Sequence, residues 1–180
     1  MRLKPPQATP TLPLSDIDGR PIRIGDGRKL LLSVFREAAC PFCNVRVYEL
    51  THDHDDLRAR GLDIVAIFHS DERDVRRFIA RQPRPFRMVA DPEGRAHAAF
   101  GAERSGFGKV RAMLLRLPAL VKGLRLLGRV PGARRSGALM PADFLIDGAG
   151  RIVATHYGRD AGDHMPMARI LRFAEDGVAG

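Results

Sequence analysis

Apolar runs of strand length occur at several places along the chain. Lys29 to Phe35 reads KLLLSVF and Leu62 to Phe68 reads LDIVAIF, the pattern of central strands buried on both faces of a sheet. Phe86 to Ala90 predicts a short third strand. Asp143 to Ile146 and Arg151 to His156 predict two more, joined by the turn sequence DGAG as a hairpin.

Helical periodicity follows most of these strands. The first helix is predicted over residues 41–60, with Gly61 as its stop. A second runs from Asp71 through Gln82, and its acidic first turn complements the helix dipole. Residues 95–101 predict a single helical turn, and a last helix spans roughly Asp163 to Glu175.

The order of these elements predicts the fold class. Strand, helix, strand, helix and strand, followed by a hairpin and a helix, indicate an α/β sheet with both faces covered, parallel first and antiparallel at its end. Residues 10–28 hold two short apolar patches around Asp18-Gly19 and predict a small N-terminal hairpin. With 180 residues, 44% of them hydrophobic, and no repeat or low-complexity linker, residues 1–180 are expected to form one domain.

One segment carries the whole charge imbalance of the chain, which is formally +9. Residues 104–136, here called the basic insertion, contain nine of the 30 basic residues and no acidic residue, so the remainder holds 21 of each sign. Its apolar residues recur at helical spacing: Val110, Met113, Leu114, Leu117, Leu120, Val121, Leu124 and Leu127. Because proline inside a helix costs about 3 kcal/mol or more, two helices are predicted, the second starting near Pro118.

The apolar stripe of the basic insertion has three alternative uses. Packing on the domain or on a second subunit near the cysteines is preferred, which leaves a homodimer open. Binding a client's apolar segment is the second use, and lying on an anionic membrane surface is the third and is not favoured. Nucleic acid is not expected as a partner, since the basic residues alternate with leucines and lack aromatic stacking partners.

The N-terminal sequence bears on location. MRLKPPQATPTLPLSD begins basic but continues with prolines instead of the apolar core of a secretory signal. Elsewhere, Arg or Lys interrupts every stretch before it reaches the ~18–20 apolar residues that a membrane-spanning helix needs. A cytoplasmic location is therefore the expectation.

The only two cysteines, Cys40 and Cys43, stand three positions apart between a predicted strand and a predicted helix. Pro41 fits the first turn, where its missing N–H costs nothing. Unpaired backbone N–H groups and the helix dipole favour the thiolate of Cys40, which is predicted to be the nucleophile. Cys43, one turn later, can attack a mixed disulfide on Cys40. The charge of Arg36 would add positive potential if its side chain turns toward Cys40, and the adjacent Glu37 would oppose it; the sequence does not give either direction.

Other uses of the cysteine pair are weaker. A structural zinc site needs about four ligands, and His52 and His54, at i and i+2 on a helix, point apart. A disulfide staple would close only a four-residue loop, which removes little chain entropy, and a reducing cytosol would keep it open. Two buried core cysteines adjacent by chance remain an alternative. The sequence predicts no metal and no cofactor.

Four stretches occur in the order and spacing of a known superfamily: LLSVFREAACPFCNVRVYEL, GLDIVAIFHSD, PFRMVADPEGRAHAAFG and MPADFLIDGAGRIVATHYGRDAGDHMP. Over residues 10–103 and 138–175 the chain resembles the thioredoxin-like superfamily, and most closely the peroxiredoxin-like branch of the alkyl hydroperoxide reductase and thiol-specific antioxidant (AhpC/TSA) family. The resemblance implies a thioredoxin fold with an N-terminal extension and a helical insertion before the final β-hairpin. It also implies Cys40 as the reactive thiol, Cys43 as its resolver and Pro141 as the cis-proline that lies against the cysteines.

The chain departs from this family at three positions. Typical peroxiredoxins have a proline seven residues and a threonine three residues before the peroxidatic cysteine, where this chain has Ser33 and Glu37. Their activating arginine sits at the start of the strand that here begins with Pro141. Peroxide reduction needs donors that stabilise the charge developing as the O–O bond breaks. Arg36 and Arg159 are the candidates to replace them.

These departures set the order of the functional hypotheses. The first is a thiol-disulfide oxidoreductase that cycles between the dithiol and the Cys40–Cys43 disulfide, with a protein or low-molecular-weight thiol or disulfide as partner. The second is an atypical peroxiredoxin, in which a hydroperoxide converts Cys40 to a sulfenic acid that condenses with Cys43. A hypothesis of another class is a redox-regulated binding module that acts through the basic insertion.

A polar cluster, HYGRDAGDH, lies between the last strand and the last helix. Its preferred interpretation makes Asp163 or Gly162 the N-cap of the last helix and the other residues loop surface. The alternative is a group that handles protons or orients substrate, formed by His156, Arg159, Asp160, Asp163 and His164. His69, after the second strand, is likewise interpreted first as loop.

Overall fold

The structure is a computed structural model that describes residues 1–81, 83–128 and 138–177. The strands are β1 (Gln7–Ala8), β2 (Lys29–Phe35), β3 (Leu62–Phe68), β4 (Arg87–Ala90), β5 (Ala142–Ile146) and β6 (Arg151–Tyr157). The helices are α1 (Pro41–His52), α2 (His54–Ala59), α3 (Glu72–Phe78), α4 (Arg95–Ala99), α5 (Gly106–Leu115), α6 (Leu117–Leu127) and α7 (Met167–Asp176). Within these ranges no helix is both long and apolar enough to cross a bilayer.

The strands form one mixed sheet in the order β1-β6-β5-β2-β3-β4. Strands β2, β3 and β4 are parallel, whereas β5 pairs antiparallel with both β2 and β6. Val34 near the end of β2 pairs with Ala142 at the start of β5. This register brings the residues that follow β2, including the cysteine motif, close to the residues that precede β5.

The central strand β2 is apolar apart from Lys29 and Ser33, because both faces of the sheet are covered. Leu31 and Phe35 face one apolar cluster, which also contains Cys43, Val47 and other buried side chains of the helices. Leu30, Leu32 and Val34 belong to a second cluster on the opposite face, with Phe100 and Phe144 among its members. The alternating residues of β2 are thus divided between two cores, as its sequence predicted.

Most predicted elements occur, with shifted ends. Strands β2 and β3 have the predicted bounds, whereas the helix predicted over 41–60 is divided at Asp53 into α1 and α2. Helix α3 ends at Phe78, and the predicted end at Gln82 lies outside the described residues. The last helix begins at Met167 after Pro166.

The small N-terminal hairpin that the sequence predicts is present. It consists of an isolated bridge between Ser15 and Pro21, closed by the Asp16 carboxylate, which accepts hydrogen bonds from the backbone N–H groups of Asp18 and Arg20. The Asp16 N–H also donates to the Arg20 carbonyl oxygen, and the Ile22 N–H donates to the Leu14 carbonyl oxygen. Strand β1, which has two residues and pairs with β6, has no signal in the sequence pattern.

The basic insertion forms two helices with Pro118 in the first turn of α6, as predicted. Helix α6 packs across α1, and Gly123 lies directly against the backbone of Pro41. Arg116 Nε, at the junction of α5 and α6, forms an ion pair of 2.8 Å with the buried Asp160. The described part of the insertion is therefore fixed to the helix that carries the cysteines, while residues 129–136 lie outside the described residues.

Replacing Gly123 with alanine is expected to destabilise the protein. The new Cβ would overlap the Pro41 carbonyl oxygen, and overpacking against backbone typically costs roughly 1–3 kcal/mol. We expect a lower free energy of unfolding in chemical denaturation. Gly106→Ala in α5 is the matched control, because nothing lies within 4 Å of its Cβ position; equal losses in both variants would contradict close packing of α6 on α1.

Candidate active site

Cys40 stands at the junction between the central strand and the first helix. It is the N-cap residue of α1, with an extended backbone (φ −71°, ψ 123°), and Pro41 follows in the first turn. The Asn44 side-chain amide donates to the carbonyl oxygens of Ala38 (2.8 Å) and Cys40 (3.0 Å). These bonds hold the short loop after β2 against the start of the helix and fix the position of the Cys40 sulfur.

The two cysteines are free thiols with different electrostatic environments. Both are buried, and Cys40 is 1% exposed. Burial raises the pKa of Cys40, but the Cys43 thiol, the Arg36 charge and the Cys43 backbone N–H outweigh it and lower the pKa to about 7. Burial and the neighbouring Cys40 raise the pKa of Cys43 well above its ordinary value. Near neutral pH, Cys40 can therefore be a thiolate while Cys43 keeps its proton.

Arg36 contacts the reactive sulfur directly. Its side chain is buried, and Nη1 donates to Cys40 Sγ over 3.3 Å. Nε donates to the Leu139 carbonyl oxygen over 2.7 Å, which fixes the plane of the guanidinium. The buried Nη2 has no hydrogen-bond partner among the described residues. The guanidinium beside the thiol therefore keeps one charged N–H donor, Nη2, that no described residue uses.

The segment before β5 explains why Arg36 turns inward. Leu139 forms an isolated bridge with Arg104, and the Met140 N–H donates to the Glu103 carbonyl oxygen. These bonds place the Leu139 carbonyl oxygen within reach of the guanidinium. Glu37, the next residue, is half-buried, and its charge raises the pKa of Cys40 without outweighing Arg36.

The expectation that Pro141 follows a cis peptide bond is wrong. Among the described residues, the cis bond is Pro5–Pro6, so Met140–Pro141 is trans. The chain enters β5 already extended from the Arg104–Leu139 bridge, so no cis reversal is needed. The Pro141 carbonyl accepts from the Gly158 N–H (2.9 Å), and the pyrrolidine ring lies against Gly158.

A buried pair that the sequence analysis missed supports the end of β2. His97 Nδ1 lies 2.6 Å from Asp91 Oδ2, and His97 Nε2 lies 2.6 Å from the Phe35 carbonyl oxygen. The carboxyl of Asp91 is partly buried, which raises its pKa, but the bonds from His97 prevail and lower it. The pair anchors the carbonyl that immediately precedes Arg36. No spacing in the sequence indicates it, because Asp91 lies in a turn and His97 on a separate helix.

A second missed pair lies between β5 and the loop before α7. Asp143 Oδ2 accepts from the Met165 N–H (2.7 Å) and lies 3.3 Å from His164 Nδ1. Burial raises the pKa of Asp143, but His164 and the charge of Arg46 outweigh it and hold the pKa well below its ordinary value. Asp143 also pairs in register with Ser33, one of the positions that depart from the peroxiredoxin pattern. The carboxylate thus ties the loop to the sheet.

The polar cluster before α7 supports the fold instead of capping the helix. Asp163 accepts hydrogen bonds from the Arg159 backbone N–H (2.9 Å) and from Arg159 Nε (3.2 Å), and Asp160 pairs with Arg116. The predicted N-cap role of Asp163 or Gly162 is wrong, since the carboxylate is engaged and the helix begins after Pro166. The Arg159 side chain is 72% exposed, so of the two candidate arginines Arg36 contacts Cys40.

His69 also has a contact that the sequence did not predict. Its backbone N–H donates to the Arg36 carbonyl oxygen over 2.8 Å, and its ring meets the His97 ring edge-on, with 5.3 Å between ring centroids. His69 therefore lies beside the backbone of Arg36, and its contacts are those of a positioning residue.

Comparisons with known proteins place the chain among known sequences. The sequence profile of the AhpC/TSA family matches residues 5–155. Peroxiredoxin Bcp of Escherichia coli is 26% identical over 123 residues, covering 66% of this chain and 79% of that protein. A Mycobacterium tuberculosis protein, named provisionally as a peroxiredoxin, is 25% identical over 172 residues, covering 93% of this chain and 94% of that protein.

A solved structure confirms the fold. The crystal structure of peroxidoxin BcpB from Mycobacterium tuberculosis superposes with a TM-score of 0.65 at 16% identity, covering 94% of each chain. The predicted α/β fold of thioredoxin type is thereby confirmed.

Proposed function

Because the chain belongs to the AhpC/TSA family, we propose that it reduces hydroperoxides with Cys40 and regenerates through a disulfide between Cys40 and Cys43. A thiol reductant, either a protein dithiol or a low-molecular-weight thiol, then restores the pair. This proposal reverses the order of the two enzymatic hypotheses drawn from the sequence.

The observation that carries the proposal is the guanidinium of Arg36. It places one donor on the Cys40 sulfur and leaves a second, buried donor without a partner among the described residues. A peroxide oxygen that approaches the sulfur needs such a donor, because negative charge develops on the leaving oxygen as the O–O bond lengthens. Ser33, Glu37 and Pro141 occupy the positions where typical peroxiredoxins have a proline, a threonine and an activating arginine. In this chain Arg36 is therefore the donor that stabilises the leaving oxygen.

The chemistry proceeds in two balanced steps. The Cys40 thiolate attacks the terminal oxygen of the hydroperoxide, the O–O bond breaks, and the other oxygen leaves as an alkoxide, or as hydroxide from hydrogen peroxide, and takes a proton from solvent. Cys40 becomes a sulfenic acid. The Cys43 sulfur then attacks the Cys40 sulfur, the S–OH oxygen leaves as water with the Cys43 proton, and the disulfide forms. Two electrons from the thiol reductant return both sulfurs to thiols.

Burial of the sulfur favours a small oxidant over a protein disulfide. Cys40 is 1% exposed, and thiol-disulfide exchange requires the attacking sulfur to reach the disulfide sulfur in line. A hydroperoxide brings a group of two oxygen atoms to the thiol, whereas a protein disulfide would require the loop after β2 to open. Thiol-disulfide exchange remains the second candidate, favoured by the Cys-x-x-Cys pair at the N-terminus of α1.

A direct comparison of oxidants tests the proposal. The fully reduced protein is mixed in a quench-flow apparatus with hydrogen peroxide, cumene hydroperoxide or a small disulfide such as oxidised glutathione, and the remaining thiols are titrated. Oxidation of the cysteine pair is followed by thiol titration because the chain has no tryptophan whose fluorescence could report it. We expect both hydroperoxides to oxidise the pair at least about a hundredfold faster than the disulfide, as a buried donor accelerates only the oxidant that it stabilises.

The converse result distinguishes the two enzymatic hypotheses. Faster oxidation by the disulfide than by either hydroperoxide would overturn the proposal and restore thiol-disulfide exchange as the main activity. Oxidation by a hydroperoxide at the rate of free cysteine would also overturn it, because the site would then add nothing to the intrinsic reactivity of a thiol.

A further inference from the structure

Large apolar side chains are exposed on one short part of the chain. Apart from Met1 and Tyr48, the exposed large apolar residues of the described chain all lie between residues 107 and 121, on α5, on α6 and at their junction. Phe107 is 78% exposed and Leu115 is 68% exposed. This set, here called the insertion face, is Phe107, Val110, Met113, Leu115, Leu117 and Val121. Exposed apolar residues concentrated in this way indicate a binding surface.

The side chains of the insertion face are not exposed because the helices fail to pack on the domain, since the opposite side of the same helices already does so. Ala112 and Leu127 are buried, and Gly123 lies against Pro41. Gly108 approaches Met140. Packing on the domain, the use preferred from the sequence, therefore accounts for one side of the stripe only.

The insertion that carries this face has charged side chains of a single sign. Residues 104–136 contain no acidic residue, and Arg104, Lys122 and Arg125 are exposed. Lys122 Nζ lies over the ring of Tyr48, 4.9 Å from its centroid, so its ammonium is held at the surface beside a further exposed aromatic side chain. Apolar side chains on a segment whose own charges are all basic are complementary to a surface that is apolar beneath and anionic outside.

We infer that the insertion face binds the surface of an anionic lipid bilayer, with its apolar side chains entering the headgroup region and its basic side chains contacting lipid phosphates. A second copy of the chain fits less well. A two-fold interface would oppose the same basic segment on both subunits, and this segment has no carboxylate to compensate the repulsion. An anionic bilayer offers an apolar region to the insertion face and phosphate groups to the basic side chains at the same time.

Vesicle flotation with the full-length reduced protein tests this inference. The probes are vesicles of phosphatidylcholine alone and vesicles with about one third phosphatidylglycerol, at low and at physiological ionic strength. We expect binding to the anionic vesicles only, and weaker binding as salt rises, because screening shortens the reach of the charges. Phe107→Ser should reduce the bound fraction by removing an apolar contact.

A pair of charge variants separates the local surface from the net charge. Lys122→Glu with Arg125→Glu removes two exposed basic residues of α6 beside the insertion face, whereas Arg58→Glu with Arg73→Glu makes the same change in net charge on α2 and α3. We expect the first variant to partition at least about thirtyfold more weakly, since each basic residue near an anionic surface contributes roughly a factor of five or more. The second should stay within about threefold of the parent, because its residues lie on other elements and membrane attraction falls off within a Debye length.

Several outcomes would overturn the inference. They are no flotation with anionic vesicles, equal flotation with neutral vesicles, or equal losses in the two charge variants when thermal unfolding shows both to be folded. Sedimentation velocity tests the remaining alternative, which is contact between two copies of the chain. A parent dimer that Phe107→Ser converts to a monomer, together with no vesicle binding, would assign the insertion face to that contact.

Discussion

Replacing Cys40 with serine is expected to reduce hydroperoxide consumption to the rate of buffer alone. The serine hydroxyl remains protonated near neutral pH and does not attack the O–O bond, whereas the Cys40 thiolate does so with a pKa of about 7. Peroxide consumption by reduced protein, followed with an electrode, measures the loss. Consumption by Cys40→Ser at the parent's rate would assign the reactive thiol to Cys43 and contradict the account.

The matched variant at the second cysteine should behave differently. Cys43→Ala keeps the Cys40 thiol but has no resolver, so it should consume one equivalent of peroxide and stop at a sulfenic acid that dimedone traps. The Cys43 thiol helps to lower the pKa of Cys40, so the first turnover should be slower near neutral pH and recover at higher pH. If Cys43→Ala turned over repeatedly with a monothiol reductant alone, Cys43 would not be needed as the resolver and would have only an accessory role.

Replacing Arg36 with methionine is expected to cause the second large loss in the rate at which peroxide oxidises Cys40. The apolar side chain suits the buried site but removes the donor on Cys40 Sγ and the free donor beside it. Losing one such donor typically lowers the rate of the chemical step on the order of a hundredfold. The pKa of Cys40 should also rise, since the Arg36 charge is among the causes that lower it.

Thiolate absorbance at 240 nm, followed against pH, separates the two contributions of Arg36. The pKa of Cys40 lies below the ordinary thiol value, so its thiolate fraction in the parent falls with acid and is one half near pH 7. In Arg36→Met the midpoint should lie higher, and the rate of peroxide oxidation should remain low even above it. Full recovery of the rate at high pH would mean that Arg36 only sets the pKa and does not contact the peroxide.

Two further substitutions control for charge. Arg36→Lys keeps the positive charge but lacks the planar fork that binds Leu139 and Cys40 at once, so its rate should lie between those of the parent and Arg36→Met. Arg159→Met removes an arginine that pairs with Asp163 at the surface. It should leave the rate and the midpoint unchanged; an effect as large as that of Arg36→Met would contradict the assignment of the donor.

The central part of the fold could be predicted because local and global signals agree there. The runs KLLLSVF and LDIVAIF have no alternative to burial, and Pro41 and Gly61 mark helix ends by their backbone chemistry. Strand β1 could not be predicted, since two residues carry no periodicity and owe their conformation to pairing with β6. The family is confirmed by the match over residues 5–155, and the thiol-dependent enzymatic class by the similarity to peroxiredoxins.

The supporting residues of the candidate site could not be predicted because they are joined across the fold. The direction of Arg36 depends on the Leu139 carbonyl, which lies 103 positions later in the chain. Asp143 and His164 meet only when the loop before α7 closes on β5. A sequence shows that these residues are polar, but not that the sheet register places them together.

The error at Pro141 arose from transferring one feature of the superfamily to this chain. The segment before β5 follows the basic insertion and is held by the Arg104–Leu139 bridge and by a hydrogen bond from the Met140 N–H to the Glu103 carbonyl oxygen. The single domain over residues 1–180, the cytoplasmic location and the thiol or disulfide partner remain predictions. The roles of Cys40, Cys43 and Arg36 remain proposals with the tests given above.

Mass spectrometry of the peroxide-treated protein shows whether Cys40 and Cys43 form a disulfide. Reduced protein receives one equivalent of hydrogen peroxide, remaining thiols are blocked with an alkylating reagent, and the peptide that contains both cysteines is analysed without reduction. We expect an unalkylated peptide with an intramolecular disulfide between Cys40 and Cys43, formed in stoichiometric amount. A peptide in which Cys43 is still alkylated, while Cys40 is overoxidised or linked to a second molecule, would contradict this expectation.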